Sequence, residues 1–239
     1  MIAPLAAPGG GPHSWADRRT AQGRDTGAAF AMRFRPTIVV PAAGFGRRFG
    51  GPQHKLEQPF EGSTVLGTTL RHAIESQLPV VVVTSEALAP LAAAQMARRD
   101  IVVLSPAEAA RGMGHSIAAG VAERSGAPGW LVLPGDMPLV RPGTLLAVAA
   151  ALEQHPVAYA QHRGRRGHPV AFAAELYSEL VLLSGDDGAR RVVARYPAHG
   201  VEVDDPGVLM DIDTPAELQQ ARQALAQDAA AGTQTAAGR

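Results

Sequence analysis

Thr37-Ile38-Val39-Val40-Pro41-Ala42-Ala43-Gly44-Phe45-Gly46-Arg47-Arg48-Phe49-Gly50-Gly51, followed shortly by Lys55, is the stretch whose reading sets the fold. Residues 37–40 form a β-branched run, which reads as a strand buried on both faces. The small residues at 42–44 let the backbone approach a ligand closely, and loop N–H groups of this kind cradle phosphate oxygens. Arg47, Arg48 and Lys55 add positive charge beside them. The G-K-[ST] ending of a P-loop is missing, and Phe49 stands where a dinucleotide fingerprint carries its third small residue. The stretch therefore reads as a phosphate loop of another type, opening an α/β fold.

Working outward, strands and helices alternate. Strands are predicted at 80–84, 101–104, 130–133, 157–160, 169–172, 201–203 and 208–210. Helices are predicted at 63–77, 86–98, 116–124, 142–154 and 189–196. Ser63 or Thr64 is a candidate N-cap. Thr214-Pro215-Ala216-Glu217 is a capping box with proline at the first helical position, opening a last helix to about Ala226. Alternation of this kind implies βαβ units and a Rossmann-like, mostly parallel sheet with helices on both faces. In such sheets ligands bind beyond the carboxyl ends of the strands, so chemistry is sought just after each strand.

The working domain spans 36–227. Residues 1–35 are rich in Gly, Ala, Pro and Arg without a period, and read as a disordered extension or an over-long start, with Met32 an alternative first residue. Residues 228–239 read as a disordered tail. Lys plus Arg and Asp plus Glu each total 22, so the zero balance argues against bulk capture of nucleic acid or an anionic membrane. With no cysteine, a disulfide framework, a thiolate metal site and a cysteine nucleophile are excluded, which fits a reducing cytoplasm. No apolar run approaches the roughly 18 residues of a membrane span. Lys55 is the sole lysine, and asparagine is absent.

Asp136 lies between glycine and proline in Pro134-Gly135-Asp136-Met137-Pro138, just past the predicted strand at 130–133. A carboxylate there suits a hard-oxygen Mg²⁺ ligand for triphosphate chemistry, or alternatively a turn. Asp211 and Asp213 are candidates for a second ligand. Asp211 follows a predicted strand directly and is preferred, because Asp213 adjoins the capping box and stands ready to stabilise a helix N-terminus. Gly112-Met113-Gly114-His115-Ser116 opens a helix and suits a nucleobase or polar group, with Ser116 equally a plain N-cap. Arg163-Gly164-Arg165-Arg166-Gly167-His168-Pro169-Val170 is a basic turn between strands. Asp186 or Asp187 is a candidate cap for the helix opening near Ala189.

The loop resembles the Leu-Ala-Ala-Gly-x-Gly-x-Arg-Met-Gly…Lys signature of nucleotidylyltransferases. More narrowly, it is similar to the molybdenum cofactor cytidylyltransferase (MocA-like) branch of the MobA-like family. Pro41 replaces a leucine there, and the spacing to Lys55 is longer. Gly-Asp-Met-Pro, Gly167-His168-Pro169-Val170, the Gly185-to-Arg190 stretch and Asp211-Ile212-Asp213-Thr214-Pro215 follow in family order. The resemblance implies a nucleotide-diphospho-sugar transferase fold and transfer of CMP from CTP to the terminal phosphate of a molybdopterin-type molybdenum cofactor, with release of pyrophosphate. It implies Arg48, Lys55 and Asp136 as catalytic residues. Ala42, Ala43, Gly44, Gly46, Gly114 and Ser116 would hold the nucleotide, and Gly167, His168, Pro169 and Arg190 the pterin. Mg²⁺ would sit on Asp136 with Asp211 or Asp213. Ala43 favours CTP over GTP, since the guanylyl branch carries glycine there. A transient contact with a molybdenum hydroxylase is the remaining expectation. The alternatives are a guanylyltransferase, a sugar- or alcohol-phosphate nucleotidylyltransferase, and a non-catalytic pterin-binding maturation partner.

Overall fold

The computed structural model describes residues 34–46, 48–50 and 53–237, with the side chains of the last helix described through Gln227. The expected extension, apart from Phe34 and Arg35, lies outside the described residues, as do Met32 and Arg47. Strand β1 (Thr37–Ala42) is central and buried throughout. A short hairpin, β2 (Pro59–Phe60) and β3 (Ser63–Thr64), turns on Glu61 and Gly62, both at positive φ (48° and 71°). Helix α1 (Val65–Glu75) follows, capped by the Thr64 hydroxyl accepting from the Gly67 amide at 3.0 Å.

Then come β4 (Val80–Ser85), α2 (Ala89–Ala93), β5 (Ile101–Leu104), α3 (Pro106–Ala109) and α4 (Met113–Glu123). Next are β6 (Gly129–Val132), α5 (Pro142–Ala151) and the hairpin of β7 (Val157–His162) and β8 (Arg165–Ala173). The chain closes with α6 (Tyr177–Leu180), α7 (Arg190–Arg195), β9 (Ala198–Glu202) and α8 (Pro215–Ala237).

Seven strands form one sheet in the order β5-β4-β1-β6-β8-β7-β9. Only β8 runs against its neighbours, pairing antiparallel with both β6 and β7. The order reverses between β1 and β6, which are parallel neighbours with β4 on the far side of β1. That reversal opens a crevice at the carboxyl ends of the two strands, where both the glycine loop and Asp136 emerge.

Side-chain alternation along β1 builds both layers of the core. Ile38 and Val40 face a cluster with Leu66, Leu70, Leu145, Val148 and Leu218 from α1, α5 and α8. Val39 faces the opposite cluster with Ile117, Val121, Leu180 and Val192 from α4, α6 and α7. Each such side chain is completely or almost completely buried, contributing about 1.5–3 kcal/mol by removal from water. Gly120 lets α4 pass close over the sheet, because a Cβ there would lie 2.5 Å from Val39.

Several sequence expectations are corrected. The helix predicted over 86–98 shortens to α2, which opens with Pro90 in its first turn and gives way to extended backbone at Ala97. The strand predicted at 208–210 is a 3₁₀ turn, Pro206–Leu209. Buried Asp205 drives that turn by accepting from the Gly207 amide at 3.1 Å, the Arg141 amide at 2.9 Å and the Thr144 hydroxyl at 2.6 Å. Helix α4 starts ahead of Ser116, with Gly112 (φ 91°) at its N-cap, so Ser116 is a buried helical residue and not a cap. Ala189, with no side-chain bond, occupies the N-cap of α7, so neither Asp186 nor Asp187 caps it. The last helix, expected to close near Ala226, continues to Ala237.

Candidate active site

The loop after β6 is fastened before it delivers its carboxylate. The Gly135 amide donates to the Pro41 carbonyl at 3.1 Å, continuing the β1–β6 pairing past the strand end. The Gly135 carbonyl accepts from the Thr69 hydroxyl on α1 at 3.1 Å. A Cβ at Gly135 would press on Ala42 at 3.1 Å, so glycine permits this close approach. The Ile212 amide donates to the Asp136 carbonyl at 3.0 Å, which brings the segment before α8 alongside.

Asp136 and Asp213 therefore face a common cation. Lys55 Nζ lies 2.5 Å from Asp136 Oδ2 and 2.5 Å from Asp213 Oδ1, and all three side chains are 15% exposed or less. Burial alone would push the Lys55 ammonium down, but the two carboxylates outweigh it and hold it above its usual range. Arg48, largely in solvent, adds a contact of 2.7 Å to Asp213 Oδ2. Asp213 is not the helix cap. Thr214 and Glu217 close the predicted capping box, with Glu217 Oε2 accepting from the Thr214 amide at 2.8 Å and the Thr214 hydroxyl accepting from the Glu217 amide at 3.2 Å.

Asp211, preferred on sequence, is instead exposed and outside this cluster. Burial of its carboxyl, although only partial, pushes it above its ordinary range. Repulsion from Asp136, Asp213 and Glu217 adds to this, against a backbone hydrogen bond that lowers it. A metal test falls on Asp136, whose Oδ1 is buried and has no hydrogen-bond partner. Among the described residues no three His, Asp or Glu converge as a complete shell. Two carboxylates with the rest of the shell drawn from substrate phosphates and water is a common Mg²⁺ arrangement, so Asp136 and Asp213 fit that ion.

The nucleotide-side expectations divide. The Ala42 and Ala43 side chains are buried at 3% and 2% exposure, so neither methyl is available for contact with a ligand. Gly44 and Gly46 lie in the loop that follows. Gly114 and the Gly185 segment form one unit: the Gly114 amide donates to the Gly185 carbonyl at 2.8 Å, and the Gly185 amide to the Arg111 carbonyl at 2.7 Å. A Cβ at Gly114 would lie 2.8 Å from the Ser184 backbone.

On the other flank, Gly167 packs against the Pro206–Leu209 turn, and a Cβ there would lie 2.1 Å from the Val208 carbonyl oxygen. The residue is thus glycine for backbone approach. His168 precedes Pro169 through a cis peptide bond. Burial pushes the His168 imidazole down to about 4, against the pull of Asp211 and with the Arg166 and Arg190 cations pushing the same way as burial. It is therefore neutral at physiological pH. Arg190 is exposed at the start of α7, and Arg166 stacks over Tyr159 with its guanidinium carbon 4.5 Å from the ring centre.

Sequence reasoning passed over His54, Thr69 and Asp205. His54 adjoins Lys55, and its Nε2 lies 2.8 Å from the Gly44 carbonyl oxygen. The one available signal was its adjacency to the sole lysine. A cavity of about 560 Å³ beside the β5 edge, lined by Glu86, Ala89, Pro90, Arg98, Ile101 and Val103, contains none of these residues. The convergence of charge, not that cavity, marks the reacting centre.

Residues 38–201 match the MobA-like NTP transferase domain. The chain is 34% identical to purine catabolism protein PucB of Bacillus subtilis over 201 residues, 78% of this chain and 96% of that protein. It is 23% identical to the molybdenum cofactor cytidylyltransferase of Escherichia coli over 185 residues, 77% of this chain and 94% of that one. The crystal structure of Rv0371c from Mycobacterium tuberculosis in complex with manganese superposes with a TM-score of 0.65 at 27% identity, covering 79% of this chain and 98% of that one.

Proposed function

The chain belongs to the MobA-like NTP transferase family, and from that premise we propose that it transfers CMP from CTP to the terminal phosphate of a molybdopterin-type cofactor, releasing pyrophosphate. The observation that carries the reading is the Lys55 ammonium set between Asp136 and Asp213 at the β1–β6 crevice, with Arg48 at its rim. The acceptor phosphate is already an anion, so the reaction needs little proton transfer, and charge neutralisation and positioning dominate. Lys55 and Arg48 neutralise the triphosphate and the departing pyrophosphate. The backbone of the glycine loop orients the phosphates for in-line attack on the α-phosphorus. Asp136 and Asp213 would hold Mg²⁺, which would supply Lewis-acid polarisation of the α-phosphate when bound. Manganese in the complex with Rv0371c supports a divalent ion in this fold.

The choice of CTP is supported by the likeness to the Escherichia coli cytidylyltransferase and by the Ala-Ala-Gly loop. The support from Ala43 is one of resemblance, since its methyl packs into the core with Val39 and Val81. The 34% likeness to a purine catabolism protein favours a second reading, nucleotidyl transfer to an acceptor met in purine breakdown.

Pyrophosphate release is the test, measured with each of the four NTPs, with and without the molybdenum cofactor, and with purine bases and nucleosides as alternative acceptors. Cofactor-dependent release with CTP is the expected result. Release dependent on a purine acceptor moves the protein to the second reading. No acceptor-dependent release with any NTP defeats both.

A further inference from the structure

We propose that His54 is a positioning residue of the transfer, coupling the triphosphate-binding glycine loop to the turn that carries Lys55. The inference rests on the nucleotidyltransferase reading above.

Besides its carbonyl, which accepts from the Glu57 amide at 3.0 Å, three polar groups of His54 are engaged, each in one direction. Its backbone N–H donates to Glu57 Oε2 at 3.0 Å. Ring Nδ1 lies 3.1 Å from the Leu56 amide, which can only donate, so Nδ1 is the acceptor and carries no proton. Ring Nε2 therefore holds the hydrogen and donates to the Gly44 carbonyl at 2.8 Å, a group that can only accept. The first two bonds lock the ring onto the 3₁₀ turn Lys55–Glu57, and the third reaches across to the loop.

The loop is shaped around the ring. Gly46 has φ 61°, and a Cβ there would lie 2.8 Å from His54 Nε2. A planar trans peptide points its C=O and N–H in opposite directions. Holding the Gly44 carbonyl toward His54 thus fixes the plane of the Gly44–Phe45 peptide, and with it the course of the loop. The same ring fixes the turn that holds Lys55 between the two carboxylates. One side chain thereby sets the spacing between the glycine loop and the Lys55 cation, both of which the reading above assigns to the same triphosphate.

Two substitutions separate the bonds. In His54→Asn the amide oxygen replaces Nδ1 and keeps the bond to Leu56, but nothing reaches Gly44. In His54→Gln the amide nitrogen replaces Nε2 and restores the bond to Gly44, but the bond to Leu56 is lost. The full-length chain and both variants are compared for thermal midpoint, for nucleotide binding by calorimetry, and for kcat and KM with the NTP that the wild type uses.

For His54→Asn we expect KM for the nucleotide to rise about tenfold, with kcat within about threefold and the midpoint near wild type. For His54→Gln, KM returns to within about threefold of wild type while the midpoint falls. Unchanged KM in His54→Asn, or KM in His54→Gln no better than in His54→Asn, overturns the proposal. A wild type that binds no nucleotide overturns the nucleotidyltransferase reading and this inference with it. A wild type that binds and turns over while both variants match it overturns the role of His54 alone.

Discussion

The backbone amide of Ile212 donates to the backbone carbonyl of Asp136 at 3.0 Å, tying the loop after β6 to the segment before α8. Because Asp213 is the next residue, this main-chain bond places its carboxylate opposite that of Asp136. Asp211, on the other side of Ile212, is directed elsewhere. Asp136→Asn and Asp213→Asn should therefore each lower the rate of pyrophosphate release by about 100-fold or more, the scale of losing a charge-stabilising group, whereas Asp211→Asn costs less than about tenfold. Comparable losses in Asp211→Asn and Asp213→Asn would contradict the geometric assignment.

Lys55 is the counter-charge that makes two neighbouring carboxylates tolerable. Replacing it in Lys55→Met leaves Asp136 and Asp213 facing each other with little access to water and only the solvent-exposed Arg48 beside Asp213. Stability should fall by on the order of 3 kcal/mol, the usual cost of removing one partner from a buried ionic cluster. Millimolar Mg²⁺ or Mn²⁺ should recover much of it by supplying the missing charge. Thermal unfolding with and without the ion checks this, and a midpoint in metal-free buffer equal to that of wild type would sink it.

His168 makes a share of the stability depend on pH. Its imidazole, held down to about 4 in the native protein, remains neutral while an ordinary unfolded histidine takes up a proton near 6.5. The unfolded state binds more protons across that window, so this contribution to stability declines as pH falls from about 6.5 to 4 and is level outside it. The full change is on the order of 3 kcal/mol. Urea unfolding at pH 7 and pH 4.5 should show a smaller loss in His168→Gln than in wild type. Equal losses would mean that the ring titrates normally.

Gly167→Ala tests whether the glycine serves the fold or the ligand. The added methyl would lie 2.1 Å from the Val208 carbonyl oxygen and 2.7 Å from its carbonyl carbon, both backbone atoms. We expect destabilisation of about 2–4 kcal/mol by chemical denaturation, since neither segment can yield as a flexible side chain would. A variant of native stability with weakened acceptor binding would return Gly167 to the substrate-contact role.

The sheet was largely legible because β-branched runs such as 80–84 and 101–104 can satisfy themselves in few other ways, and the Thr214–Glu217 capping box carried its own boundary signal. Lys55, Arg48 and Asp136 were legible because charged groups just beyond buried strands must converge at the sheet edge. What was not legible depends on contacts between distant segments. Choosing Asp213 over Asp211 needed the Ile212–Asp136 bond. Seeing the 206–209 segment as a turn needed the buried Asp205 carboxylate, whose partners Arg141 and Thr144 lie far off in the chain. The position of Gly112 rather than Ser116 at the start of α4 follows from contact with Gly185, which no local pattern encodes.

The main-chain bonds joining residues 111–114 to 184–185 carry a lesson for anyone wishing to retailor this protein. Each segment is the mould for the other: Gly114 is small because Ser184 passes over it, and Gly185 donates where Arg111 accepts. A chimera that imports only one of the two from a relative would inherit a cast without its matching half. The natural unit of exchange is the pair, although the whole of β6 to β8 lies between them.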